Sequence, residues 1–126
     1  MDFKQAVETC LRKKYGEFSG RASRSEFWWF SLFCVIVFAV IFILYFLVQS
    51  SSILSGICGL LILVAVFGLL VPGLAVSVRR LHDTGKSGWL ILIGMIPIVS
   101  IIGSWVLLVF YVLPSNPGSN AYGDAP

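Results

Sequence analysis

The polar chemistry of this chain is concentrated in one stretch, Val78-Arg79-Arg80-Leu81-His82-Asp83-Thr84-Gly85-Lys86-Ser87-Gly88-Trp89. It holds two guanidinium groups, the single imidazole, a carboxylate and an ammonium group. Gly85-Lys86-Ser87 looks like the end of a phosphate-binding loop, but that pattern needs a glycine five residues before Gly85, where Arg80 stands, and a preceding strand. His82 and Asp83 are no ready-made acid–base dyad, because adjacent residues do not face each other on a helix. No Ser–His–Asp or Cys–His set has a workable arrangement, so no catalytic residue is assigned. A lone histidine argues against a metal centre. Cys10, Cys34 and Cys58 show no CxxC or ligand spacing and are read as small buried hydrophobes. No metal, cofactor or nucleic-acid partner is expected.

Electrostatics is what remains. Arg21, Arg24 and Glu26 precede the first long apolar run, and Arg79, Arg80, His82, Asp83 and Lys86 follow the second. If both runs cross a membrane, these eight residues meet at one depth. One reading is an ion-pair cluster that locks the helix ends, through pairs such as Arg80–Glu26 or Arg24–Asp83. The other is a pocket for an anionic lipid headgroup, since arginine suits bidentate phosphate contact. The functional expectation is a non-enzymatic membrane module that binds anionic lipid headgroups or docks a membrane partner. The alternatives are a small oligomeric channel or transporter subunit, and an enzyme acting on lipid headgroups through His82 and Asp83. A homo-oligomer fits either membrane reading.

The elements that must position these residues follow from composition. Of 126 residues, 58% are hydrophobic and 12% charged, and the mean hydropathy is +0.94. A water-soluble domain carries about twice that charge. The net charge is only +3 and the aromatic fraction 14%, which also excludes disorder. Charges are absent for 52 residues between Glu26 and Arg79 and for 37 between Lys86 and Asp124. A bilayer core takes about 20 apolar helical residues. The first desert therefore holds two spans, parted by Gln49-Ser50-Ser51-Ser52, and the second holds one. The expected fold is an all-α membrane protein, a single domain over 1–126, with spans at about 27–48, 57–78 and 88–112 and a polar tail at 113–126. A barrel is excluded by length and by the lack of alternation.

Phe3, Ala6, Val7, Cys10 and Leu11 recur at helical spacing, so 2–15 reads as an amphipathic helix, lying in the interface or packed on the bundle ends. Gly16 and Gly20 break it, and Ser23 with Glu26 reads as a capping box that starts span one near Arg24. Trp28, Trp29 and Trp89 are interfacial anchors, and Ser87 caps the third span. Val71-Pro72-Gly73 kinks span two. No signal-peptide cleavage site follows the first run. Lysine and arginine in the first 26 residues and in the 79–87 loop place both in the cytoplasm, with the tail outside. Ile96-Pro97-Ile98 reads as a kink; a hairpin there would return the tail to the cytoplasm. No span interior carries an ionisable residue, which argues against a proton-coupled transporter or charge-lined pore.

Three stretches together carry a resemblance. They are Phe18-Ser19-Gly20-Arg21-Ala22-Ser23-Arg24-Ser25-Glu26-Phe27-Trp28-Trp29-Phe30, then Arg79-Arg80-Leu81-His82-Asp83-Thr84-Gly85-Lys86-Ser87-Gly88-Trp89, then Asn116-Pro117-Gly118-Ser119-Asn120-Ala121-Tyr122-Gly123. The chain resembles the small bacterial inner-membrane proteins of the YhaH type, a family of unknown function. The resemblance implies a multi-pass protein of the bacterial inner membrane and no assigned reaction. The tail of this chain lacks the arginine usual in such tails, having Ala121 between Asn120 and Tyr122.

Overall fold

The structure, a computed structural model, describes residues 2–94 and 99–126. All regular elements among the described residues are helical. The expected kink at Ile96-Pro97-Ile98 lies outside the described residues.

Helix α1 covers Phe3–Glu8 and continues through a π-helical turn, Thr9–Lys13. Asp2 caps it, accepting from Gln5 N while the Gln5 side chain accepts from Asp2 N. Its apolar face packs on the next helix: Phe3 meets the Trp29 ring edge-on at 5.9 Å, and Ala6 and Cys10 are fully buried. This is the packing on the bundle end that the sequence left open, and it is compatible with a place in the interface.

Helix α2 runs Arg24–Val48, starting where the Ser23 cap predicts. Ser23 Oγ accepts from Glu26 N at 3.2 Å. The reciprocal half of the expected box is not made, because the Glu26 carboxylate turns to Arg79 instead. Helix α3, Ser52–Asp83, begins at a Ser51 cap after the polar seam and packs along α2. Its 32 residues make it roughly 48 Å long. Both helices are long and apolar enough to cross a membrane. Between Ser31 and Val71, only Cys58 is buried. Phe46, Leu47, Ile53 and Phe67 are each about 70% exposed, a bare apolar surface no water-facing protein sustains.

Everything changes at Pro72. Pro72 has no N–H to give the Gly68 carbonyl, and the Tyr15 hydroxyl donates to that oxygen at 2.7 Å. Beyond it, Ala75, Val76, Arg79, Arg80, Leu81 and Asp83 are all buried under α1, the Gly16–Ser23 loop and the C-terminal third of the chain. The core therefore sits at one end of the molecule, as a cap on a two-helix stalk.

The expected continuous span at 88–112 is instead two pieces. Gly88–Gly94 is a 3-10 helix, with Ser87 Oγ accepting from Trp89 N, and α4 covers Ser100–Val112. Thirteen residues of α-helix reach about 20 Å, short of a bilayer core. The pieces lie side by side, so close that a Cβ on Gly103 would overlap the Ile93 carbonyl oxygen. The two outer ends of this pair meet α3 at the same level. Gly88 abuts Val78 and His82, and the carbonyls of Tyr111 and Leu113 both reach Arg80.

Candidate functional site

The end of α3 presents Arg79, Arg80 and Asp83 to three different neighbours. Arg79 Nη1 donates to Glu26 Oε1, and its Nε donates to the Glu17 carbonyl at 3.1 Å. Its Nη2 is buried with no hydrogen-bond partner among the described residues. Arg80 donates to Asp83 Oδ2, to the carbonyls of Tyr111 at 3.0 Å and Ala22 at 3.3 Å, and to that of Leu113. Arg21 bonds Asp83 Oδ1 at 3.0 Å and donates to the carbonyls of Asp83, Asn116, Gly118 and Gly123. Ser115 Oγ also donates to Asp83 Oδ2.

Three guanidinium groups thus share two carboxylates. The surplus positive charge is taken up by eight main-chain carbonyls. Several of these are the orphan acceptors at the C-terminal ends of α3 and α4, where helix dipoles favour a cation. Arg21, Glu26, Arg79, Arg80 and Asp83 are each no more than 3% exposed. The guanidinium groups of Arg21, Arg79 and Arg80 hold the chain's own segments together. The expected partners are exchanged. Arg80 pairs with Asp83 one turn further on, Glu26 pairs with Arg79, and Arg21 takes the place at Asp83 proposed for Arg24. Arg24 is exposed and takes no part in these pairs. Lys86 is half-buried, its Nζ 4.9 Å above the Phe110 ring and 3.4 Å from the Thr84 carbonyl.

Cys10 joins this network from α1. Its thiol faces Glu26 Oε1 at 3.8 Å, and burial, reinforced by the Glu26 charge, pushes it up to about 12. Raised in this way, the thiol is held in its protonated, weakly nucleophilic form near neutral pH.

His82 leaves the network. Its Nδ1 lies 2.9 Å from the Gly20 carbonyl, and its ring stacks on Tyr122 at 4.1 Å with an interplanar angle of 1°. Asn120 Nδ2 donates to the His82 carbonyl at 2.9 Å, and Asn116 N donates to the Asp83 carbonyl at 2.9 Å. The tail is therefore strapped across the end of α3. These tail residues carried the resemblance, but nothing in their types assigned them a role, because the partners of Asn116 and Asn120 are main-chain carbonyls that every residue possesses.

Beside His82 opens a cavity of about 620 Å³. Leu74, Val78 and His82 form one wall at four-residue spacing along α3, and Trp89, Ile91 and Leu92 form the other. Phe18 and Tyr122 also line it. The wall spans roughly 12 Å of helix. It is apolar from Leu74 to Val78 and polar only at the end where His82, Ser87 and Tyr122 meet. Trp28, Trp29 and Trp89, the expected anchors, are all exposed, Trp89 at 78%.

Residues 15–124 match the family model described as "Protein of unknown function (DUF805)". The chain belongs to this family. It is 40% identical over 114 residues to the inner membrane protein YhaI of Escherichia coli K12, covering 90% of this chain and 89% of that one. It is 38% identical over 116 residues to the inner membrane protein YhaH of the same strain, covering 90% of each. No solved structure matches the chain. The family relatives and the two long apolar helices together make this a multi-pass protein of the bacterial inner membrane.

Proposed function

We propose that the protein is a non-enzymatic inner-membrane module that holds one lipid of the cytoplasmic leaflet in the cavity beside His82. In this reading α2 and α3 are the crossing helices, and the buried arginine network fastens a cytoplasmic cap onto them. Trp29 and Val71 each stand 19 residues from the nearer end of the Val48–Ser52 connection. That is about 29 Å of helix, the thickness of a bilayer core. The inner boundary then falls at Trp28, Trp29 and Pro72, where the Tyr15 hydroxyl also sits. Lys/Arg-rich segments lie on the cap side of it, which makes the cap cytoplasmic. The 3-10 helix and α4 dip toward the boundary and return, with Ile101, Ile102 and Trp105 each at least 70% exposed for the leaflet. Both termini are then cytoplasmic.

One observation carries the lipid reading. The cavity starts at the membrane boundary with Leu74 and ends, about two turns of α3 later, at a polar rim of His82, Ser87 and Tyr122. An amphiphile leaving the leaflet meets apolar walls first and polar groups last. The anionic-headgroup role first expected of the arginines has less support, because Arg21, Arg79 and Arg80 are buried and, Arg79 Nη2 apart, their guanidinium nitrogens bond within the chain. A headgroup enzyme built on His82 and Asp83 has less still, since Asp83 is held by Arg21, Arg80 and Ser115 and is fully buried.

The test is native mass spectrometry of the gently extracted protein beside Leu74→Trp, which fills the cavity without touching the arginine network. Wild type is expected to carry one lipid and the folded variant none. Equal lipid retention by both would remove the cavity as the site.

A further inference from the structure

We infer that the cavity selects an uncharged lipid whose head is a hydroxyl group, of the diacylglycerol or long-chain alcohol kind, and that His82 Nε2 accepts its proton in a hydrogen bond. The inference rests on the lipid-holding reading above. Two features of the site carry it.

The first is charge. None of the residues lining the cavity is Asp, Glu, Lys or Arg. The nearest guanidinium groups on α3, Arg79 and Arg80, are buried and committed to Glu26, Asp83 and main-chain carbonyls. A phosphate placed at the polar rim would be desolvated without a paired cation, which is costly. A neutral head incurs no such penalty.

The second is the orientation of one proton. The Gly20 carbonyl can only accept, so the short contact at Nδ1 fixes that nitrogen as the donor. In the neutral ring Nε2 then carries the lone pair. Nε2 makes no hydrogen bond among the described residues, and it is left accessible because position 88 is glycine. A Cβ at Gly88 would stand 3.3 Å from Nε2 and only 2.5 Å from Val78 Cγ1. Tyr122, stacked on the ring face, holds the imidazole plane, so the lone pair points in a set direction. An acceptor fixed at the polar end of an apolar slot calls for a donor, and on an uncharged lipid that donor is a hydroxyl.

The experiment uses the full chain in phosphatidylcholine nanodiscs containing equal traces of dioleoylglycerol and its O-methyl ether, read by native mass spectrometry. One hydrogen bond predicts that wild type retains the alcohol about five- to tenfold over the ether. His82→Asn keeps an amide donor near the Nδ1 position and removes Nε2, so the folded variant should retain both equally. Equal retention by wild type would overturn the inference while leaving a lipid in the cavity. So would preference for the alcohol persisting in folded His82→Asn, or displacement of both neutral lipids by an equal trace of dioleoylphosphatidic acid. Retention of no lipid at all would sink the lipid-holding reading with it.

Discussion

Asp83 is the residue on which the cap depends most. Its two carboxylate oxygens serve Arg21, Arg80 and Ser115, and its own carbonyl accepts from Asn116 and Arg21. A buried ion pair adds little net stability over an apolar core, but removing one partner strands the others. Asp83→Asn should therefore cost about 3–5 kcal/mol, read as a lowered unfolding temperature in detergent. Arg24→Ala, at an exposed position, should stay within about 0.5 kcal/mol. A loss at Arg24 as large as that at Asp83 would restore the Arg24–Asp83 pairing first expected from sequence. Cys10 gives a pH-linked test. Its folded value of about 12 lies above that of an unfolded thiol, so the folded state binds the proton more tightly. Its contribution is complete below the unfolded value and is lost as pH rises through about 12. With Cys34 and Cys58 replaced by alanine, maleimide should label Cys10 slowly at pH 8 in the native protein and rapidly after unfolding in dodecyl sulfate. Equal rates would place Cys10 outside the core.

Among the elements, α2 and α3 were legible because lipid imposes a simple rule, long uncharged apolar runs closed by polar caps. Arg24 and Val48 bound α2 where Ser23 and the Gln49-Ser50 seam predict. The third segment obeys a different rule. Its apolarity alone matched a span, yet Arg80 ties its last carbonyls to the level at which Gly88 begins. No residue type announces that long-range tie, since the acceptors are main-chain carbonyls. The candidate site divides the same way. That Arg21, Glu26, Arg79, Arg80 and Asp83 would meet could be read from charge placement, but which carboxylate met which arginine depended on helix rotation and on a tail strap. The close packing of the returning pair is testable at Gly103. Gly103→Val would drive a side chain into the Ile93 backbone, and should cost at least about 1–3 kcal/mol. Gly59→Val on the stalk, where no atom lies within 4 Å of the new Cβ, should be tolerated.

The whole molecule is a two-helix stalk whose bare apolar surface needs lipid, joined to a cap whose buried charges need each other. The stalk contributes little internal core: almost all its fully buried residues lie in the cap. The cap in turn has no Asp, Glu, Lys or Arg among the residues that line its cavity. These two halves make sense together only if the C-terminal tail lies on the same side as the N-terminus, where Arg21, His82 and Asp83 hold it. A three-span protein would instead leave the tail on the opposite side, beyond reach of all three residues. The most direct measurement is therefore a pair of C-terminal reporter fusions to the full chain, green fluorescent protein and alkaline phosphatase, expressed in the bacterial inner membrane. A strapped cytoplasmic tail predicts bright fluorescence and no phosphatase activity. An active phosphatase with a dark fluorescent fusion would put the tail in the periplasm and contradict the buried arginine lock.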